Sequence, residues 1–102
     1  MQSKELAKRM KSKKPPTVID VRSGFEFRNG HIPGAIHASI WKILLHPAHI
    51  ASDKSTELVV TCEHGPRAQL AKGLLNAFGY RNVVLLEGHM AGWRQAGGPQ
   101  EL

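Results

Sequence analysis

Leu58-Val59-Val60-Thr61-Cys62-Glu63-His64-Gly65-Pro66-Arg67 is the stretch on which the fold turns. A short run rich in β-branched residues passes through a Gly-containing turn, and Pro66 stands at the first position of a helical pattern. That succession predicts strand, loop and helix start. Cys62, the single cysteine of the chain, then lies at the mouth of a helix. Backbone N–H groups in the turn and the first helical turn point at that spot, so the local field favours an anion. A thiol placed there is expected to ionise readily, and Arg67 adds a positive charge that does not titrate away. A lone cysteine after an apolar run is otherwise a packing residue; the helix mouth and Arg67 favour a reactive one.

Downstream, Leu70, Ala71, Leu74, Leu75 and Phe78 fall within an arc of about 140° at 3.6 residues per turn. A helix from Pro66 to Phe78 is therefore expected to lay that face on a sheet. Gly79 stops it, Val83-Val84-Leu85-Leu86 forms another buried strand, and Glu87-Gly88 leads to a last helix around Met90 to Gln95. Upstream, Ser3 is expected to cap a helix running to about Lys11, which Pro15-Pro16 ends. Val18 to Val21 is a strand, and Phe25 to Arg28 one helical turn. Gly30 to Gly34 is a loop, Ala35 to Ala38 a short strand, Ile40 to Leu45 a brief helix, and 46–56 a loop. Strands that are apolar on both faces and alternate with helices predict an α/β domain built on a parallel sheet. In such sheets ligands gather beyond the carboxyl ends of the strands. Cys62 lies at one such end, and the loops after Val21 and Leu86 bring Arg22, Ser23, Glu87, Gly88 and His89 to the same edge.

The 102 residues are enough for one domain, 1–102, with a sufficient core. One cysteine allows no intrachain disulfide and no cysteine-based zinc site, as fits a reducing compartment. The opening residues lack the apolar region of a secretory signal, and no apolar run is long enough to span a membrane. A soluble cytoplasmic protein is the expectation. Of the net charge of +6, residues 1–14 supply +5, from Lys4, Lys8, Arg9, Lys11, Lys13 and Lys14 against Glu5 alone. The basicity belongs to the first helix, where it predicts a solvated face or a docking point for an acidic protein partner. Nucleic acid is not expected there, because the segment has no aromatic side chains to stack on bases.

Four segments, taken in order, resemble the rhodanese (sulfurtransferase) family. They are Val18-Ile19-Asp20-Val21-Arg22 with Glu26-Phe27, Gly30-His31-Ile32-Pro33-Gly34-Ala35, the loop Cys62-Glu63-His64-Gly65-Pro66-Arg67 of the form C-x-x-G-x-R, and Leu86-Glu87-Gly88 with Gly92-Trp93. The resemblance implies a three-layer domain, with a central parallel sheet of four or five strands and helices on both faces. The family's first edge strand is the one expected to be missing. It further implies that a sulfane donor (thiosulfate, a polysulfide or a persulfidated thiol) gives one sulfur to Cys62. A thiol or cyanide then removes it, and the covalent persulfide makes a separate cofactor unnecessary. Glu63, His64, Gly65, Pro66 and Arg67 would form the substrate-binding loop; Asp20, Arg22, Glu26 and His31, charged residues beside core strands that need partners, are expected to form a structural polar network around the second and third loops rather than touch substrate. Two residues depart from the usual loop. Glu63 sets a carboxylate beside the nucleophile, where it is expected to repel a dianion such as thiosulfate. Pro66 removes one N–H from the cradle, which predicts slower turnover.

Other chemistries fit less well. Cysteine phosphatases of the same fold hold five residues between Cys and Arg, whereas Cys62 and Arg67 enclose four. A thioredoxin-like reductase lacks its Cys-x-x-Cys. A non-catalytic or sulfur-carrier binding module remains the alternative from a different class. His46 and His49 make a poor metal pair, because Pro47 breaks the helix that would align them, and no metal site is expected. Trp41 and Trp93 are expected to pack in the core.

Overall fold

The computed structural model describes residues 1–102. Helix α1 (Ser3–Arg9) precedes strand β1 (Thr17–Asp20), helix α2 (Gly24–Arg28), strand β2 (Ile36–His37) and helix α3 (Ile40–Leu45). A short 3-10 turn at Pro47–His49 leads on to β3 (Leu58–Thr61), α4 (Pro66–Ala77), β4 (Val83–Leu85) and α5 (His89–Gln95). The sheet has four strands in the order β2-β1-β3-β4, and every pairing is parallel. Within residues 1–102 the first strand follows α1.

Alternation along the strands divides the core between two faces. Ile19, Leu58, Val60 and Val83 turn to one side, where Ile43 of α3 and Ala68, Ala71 and Leu75 of α4 cover them. Val18 and Val59 turn to the other, against Leu6 of α1 and Met90 and Trp93 of α5. Helices thus close both faces, as a parallel sheet requires. The C-terminal segment returns to the loop after α2: His31 and Glu101 exchange backbone hydrogen bonds, and the Gly34 N–H donates to the Glu101 carboxylate at 3.0 Å.

Several local expectations are corrected. Gln2, not Ser3, caps α1, with no side-chain bond, and the helix ends at Arg9 rather than near Lys11. The buried face of α4 is Ala68, Ala71 and Leu75, while Leu70 is exposed and Phe78 is at the margin of exposure. The small side chains of Ala68 and Ala71 let the helix sit close on the sheet, which rotates the larger Leu70 outward. Trp41 is 72% exposed rather than packed, since the six-residue α3 buries only Ile43. Trp93 does pack fully, and its indole N–H donates to the Pro99 carbonyl at 2.8 Å.

Candidate active site

Parallel register sets the site. Asp20 lies opposite Thr61, and the Val21 N–H donates to the Thr61 carbonyl at 3.0 Å, so Arg22 leaves β1 beside Cys62 and Glu63 as they leave β3. The chain then turns back at Gly65, whose φ of 132° suits only glycine. A Cβ there would also lie 3.2 Å from Nε2 of His89. The turn brings the Gly65 N–H to 2.9 Å from Cys62 Sγ, and Pro66, its φ already helical, begins α4. Cys62 is 1% exposed and belongs to the core on the α4 side. Its sulfur accordingly meets both apolar packing and a directed N–H.

The backbone around the sulfur is held from the other side by α5. Met90 and Ala91, in the first turn of that helix, donate their N–H groups to the carbonyls of Cys62 and Glu63 at 3.0 and 3.3 Å. The Cys62 N–H makes a long bond of 3.4 Å to Nδ1 of His89, which therefore acts as an acceptor there. Burial, with His64 nearby as the smaller influence, moves the His89 pKa below its ordinary value and favours that neutral form.

The charged side chains pair around this loop. Asp20 accepts from the Arg22 backbone N–H and Nε at 3.0 Å and from Nη2 at 2.9 Å, and both side chains are buried. Arg22 Nη2 also donates to the Gly30 carbonyl at 2.8 Å, anchoring the following loop. Its Nη1 reaches Glu63 Oε1 at 3.3 Å, while the second oxygen of Glu63 pairs with Arg94 of α5. Glu26 forms a capping box with Ser23 and grips Arg67 through both terminal nitrogens, at 2.6 and 3.1 Å. Chiefly through that Arg67 bond, the Glu26 carboxyl falls to about 2, and Glu26 in turn raises the Arg67 pKa.

Of the residues singled out in the sequence, Cys62, Glu63, Gly65, Pro66 and Arg67 form one continuous loop, with Asp20 and Arg22 against it. His64 lies on the loop but is exposed. Glu26 joins through Arg67. His31 stands apart: its ring stacks on Phe27 at 3.7 Å and its Nδ1–H donates to the Phe27 carbonyl. The four polar residues are thus not a single network. Arg94 carries no signal in local sequence, although it lies one turn beyond Met90 and so shares a helix face with it. His37, which bonds the Arg22 carbonyl at 2.7 Å, was likewise hidden in a two-residue strand.

A four-stranded parallel sheet with a cysteine loop running into a helix defines the class: residues 2–96 match the rhodanese-like domain, and the chain belongs to that family. A thiosulfate sulfurtransferase GlpE from Shewanella oneidensis is 34% identical over 89 residues, spanning 85% of this chain and 84% of that protein. Another GlpE, from Stutzerimonas stutzeri, is 36% identical over 78 residues, spanning 76% and 69%. Among solved structures, the Alr3790 protein from Anabaena sp. superposes with a TM-score of 0.88 at 30% identity, covering 99% of this chain and 80% of its own.

Proposed function

We propose that the protein is a sulfurtransferase that carries a sulfane sulfur on Cys62. The observation that supports it most directly is the Gly65 N–H aimed at Cys62 Sγ from 2.9 Å, an arrangement that stabilises a sulfur anion better than a packed thiol. The thiolate of Cys62 attacks the outer sulfur of thiosulfate, the sulfur–sulfur bond breaks, and sulfite leaves with its electron pair. The same charge that entered as thiolate stays on the new persulfide. Cyanide or an acceptor thiolate then attacks the terminal sulfur and restores Cys62. The role of Arg67 is to orient an anionic donor or leaving group, in exchange with Glu26. An acidic acceptor protein would meet the exposed Lys4, Lys8, Lys11, Lys13 and Lys14, since Arg9 is already paired with Glu57.

Exposure to thiosulfate, a polysulfide or a persulfidated thiol should add one sulfur atom to the intact mass, and cyanide or a thiol should remove it. Cys62→Ser should abolish the adduct, because an alcohol is too weak a nucleophile at this position. Failure of every donor to give a Cys62-dependent adduct would leave a binding module. Cys62-dependent turnover of an aryl phosphate would move the assignment to phosphate hydrolysis.

A further inference from the structure

Glu63 follows the nucleophile directly, and the sequence alone gives it the role of repelling anions. Its surroundings change that role. Both carboxylate oxygens are engaged, one by Arg22 and the other by Arg94. Arg22 is nevertheless committed elsewhere: it neutralises Asp20, with both groups almost wholly buried, and it bonds the Gly30 carbonyl. Glu26 likewise absorbs the charge of Arg67. Around the cysteine loop, three carboxylates (Asp20, Glu26, Glu63) therefore face three guanidiniums (Arg22, Arg67, Arg94), and Arg94 is the one whose acidic partner is Glu63 alone.

We propose that Arg94 is a positioning residue: by holding the Glu63 carboxylate in an ion pair, it sets how strongly the site discriminates against doubly charged sulfur donors. The α5 backbone makes this placement firm, because Met90 and Ala91 are bonded to the carbonyls of Cys62 and Glu63. Arg94 lies three and four residues further along, above the same loop. Without Arg94 the balance around the loop becomes one net negative charge, adjacent in sequence to the nucleophile. Transfer from thiosulfate brings two negative charges to the thiolate and releases sulfite with two; transfer from methanethiosulfonate brings one and releases methanesulfinate with one. An unmatched Glu63 must therefore slow the first reaction more than the second. The consequence for donors rests on the sulfur-transfer reading, while the electrostatic role itself can be measured without it.

The test compares alkylation of Cys62 by iodoacetate, an anion, and by iodoacetamide, its neutral counterpart, in the full chain at low ionic strength. Arg94→Gln should lower the iodoacetate-to-iodoacetamide rate ratio by about fivefold, the size expected for one partly screened charge on the residue next to the reacting cysteine. Arg94→Lys should keep most of the ratio, and Glu63→Gln combined with Arg94→Gln should restore it. In parallel, kcat/KM for thiosulfate should fall in Arg94→Gln by a larger factor than kcat/KM for methanethiosulfonate. An unchanged ratio, a ratio that Glu63→Gln does not restore, or an equal fall with both reagents overturns the proposal; the last result would make Arg94 merely structural. If the ratio moves as expected while the wild-type chain takes sulfur from no donor, polysulfide and persulfidated thiol included, the positioning role stands and the proposed function fails.

Discussion

Replacing Asp20 by Asn tests the link on which the site's framework depends. The carboxylate is fully buried, and its partner Arg22 is 3% exposed. The amide of Asn presents an NH2 where Asp20 Oδ2 now accepts from Nη2 at 2.9 Å and Nε at 3.1 Å, or else gives up the 3.0 Å bond from the Arg22 backbone N–H. Either way the guanidinium keeps its charge and loses the partner that compensates its burial, a change that costs roughly 3–5 kcal/mol. The Gly30 carbonyl at 2.8 Å and Glu63 at 3.3 Å remain as partial partners, which favours the lower end, about 3 kcal/mol. For a chain of 102 residues the unfolding entropy is about 0.2 kcal/mol per kelvin, so the melting temperature should fall by about 15 °C. Urea unfolding followed by tryptophan fluorescence and circular dichroism measures it. Asp20→Asn with Arg22→Met should be less damaged than Asp20→Asn alone, because no buried charge is left without its partner. A loss below about 1 kcal/mol for Asp20→Asn, at an unchanged m-value, would refute the reasoning.

Three further outcomes are expected. The folded Glu26 carboxyl near 2, against an ordinary 4.5, stabilises the fold above pH 4.5 and loses that contribution as pH falls through about 2. Solvent at the partly exposed pair limits the contribution to about 1 kcal/mol, and Glu26→Gln should remove this share of the acid dependence of urea midpoints between those values. Gly65→Ala should cost about 1–3 kcal/mol from the positive φ and the approach to His89, and should slow sulfur loading more than an equally destabilising substitution elsewhere in the chain does. Gly98→Ala would set a Cβ 2.3 Å from Cε2 of Trp93, so calorimetry should show a loss of about 2 kcal/mol or more from overpacking; a variant as stable as wild type would mean that the indole yields freely.

What the sequence made legible is what a few adjacent residues determine. The apolar run at Leu58, the turn at Gly65 and Pro66 at the helix start specify strand, loop and helix through local steric rules, and the structure follows them. Alternation of elements likewise led to the parallel sheet. Quantities set by docking between distant elements were less visible. The inward face of α4 depends on how closely Ala68 and Ala71 approach the strands, not on where the largest side chains fall. A large apolar side chain such as Trp41 is expected in the core, yet α3 fully buries only Ile43. The charge of Glu63 was evident, but Arg94 reaches it across 31 positions of sequence through the placement of α5. No neighbour in the chain announces that contact.

The short last helix has a consequence for how the protein loses competence. Cys62 is bonded through its carbonyl to Met90 and through its N–H to His89, while Trp93 fastens the same helix to the core and to Pro99. Detachment of 89–99 would thus release the nucleophile's backbone in the same event, while β1, β3 and α4 could stay folded. Reactivity and the closure of this C-terminal segment are then one equilibrium, governed by a local opening free energy below that of global unfolding. In hydrogen exchange, the amides of Cys62, Met90 and Ala91 should be freed together, and a protease that cuts the opened segment would silence the cysteine well before the sheet dissolves.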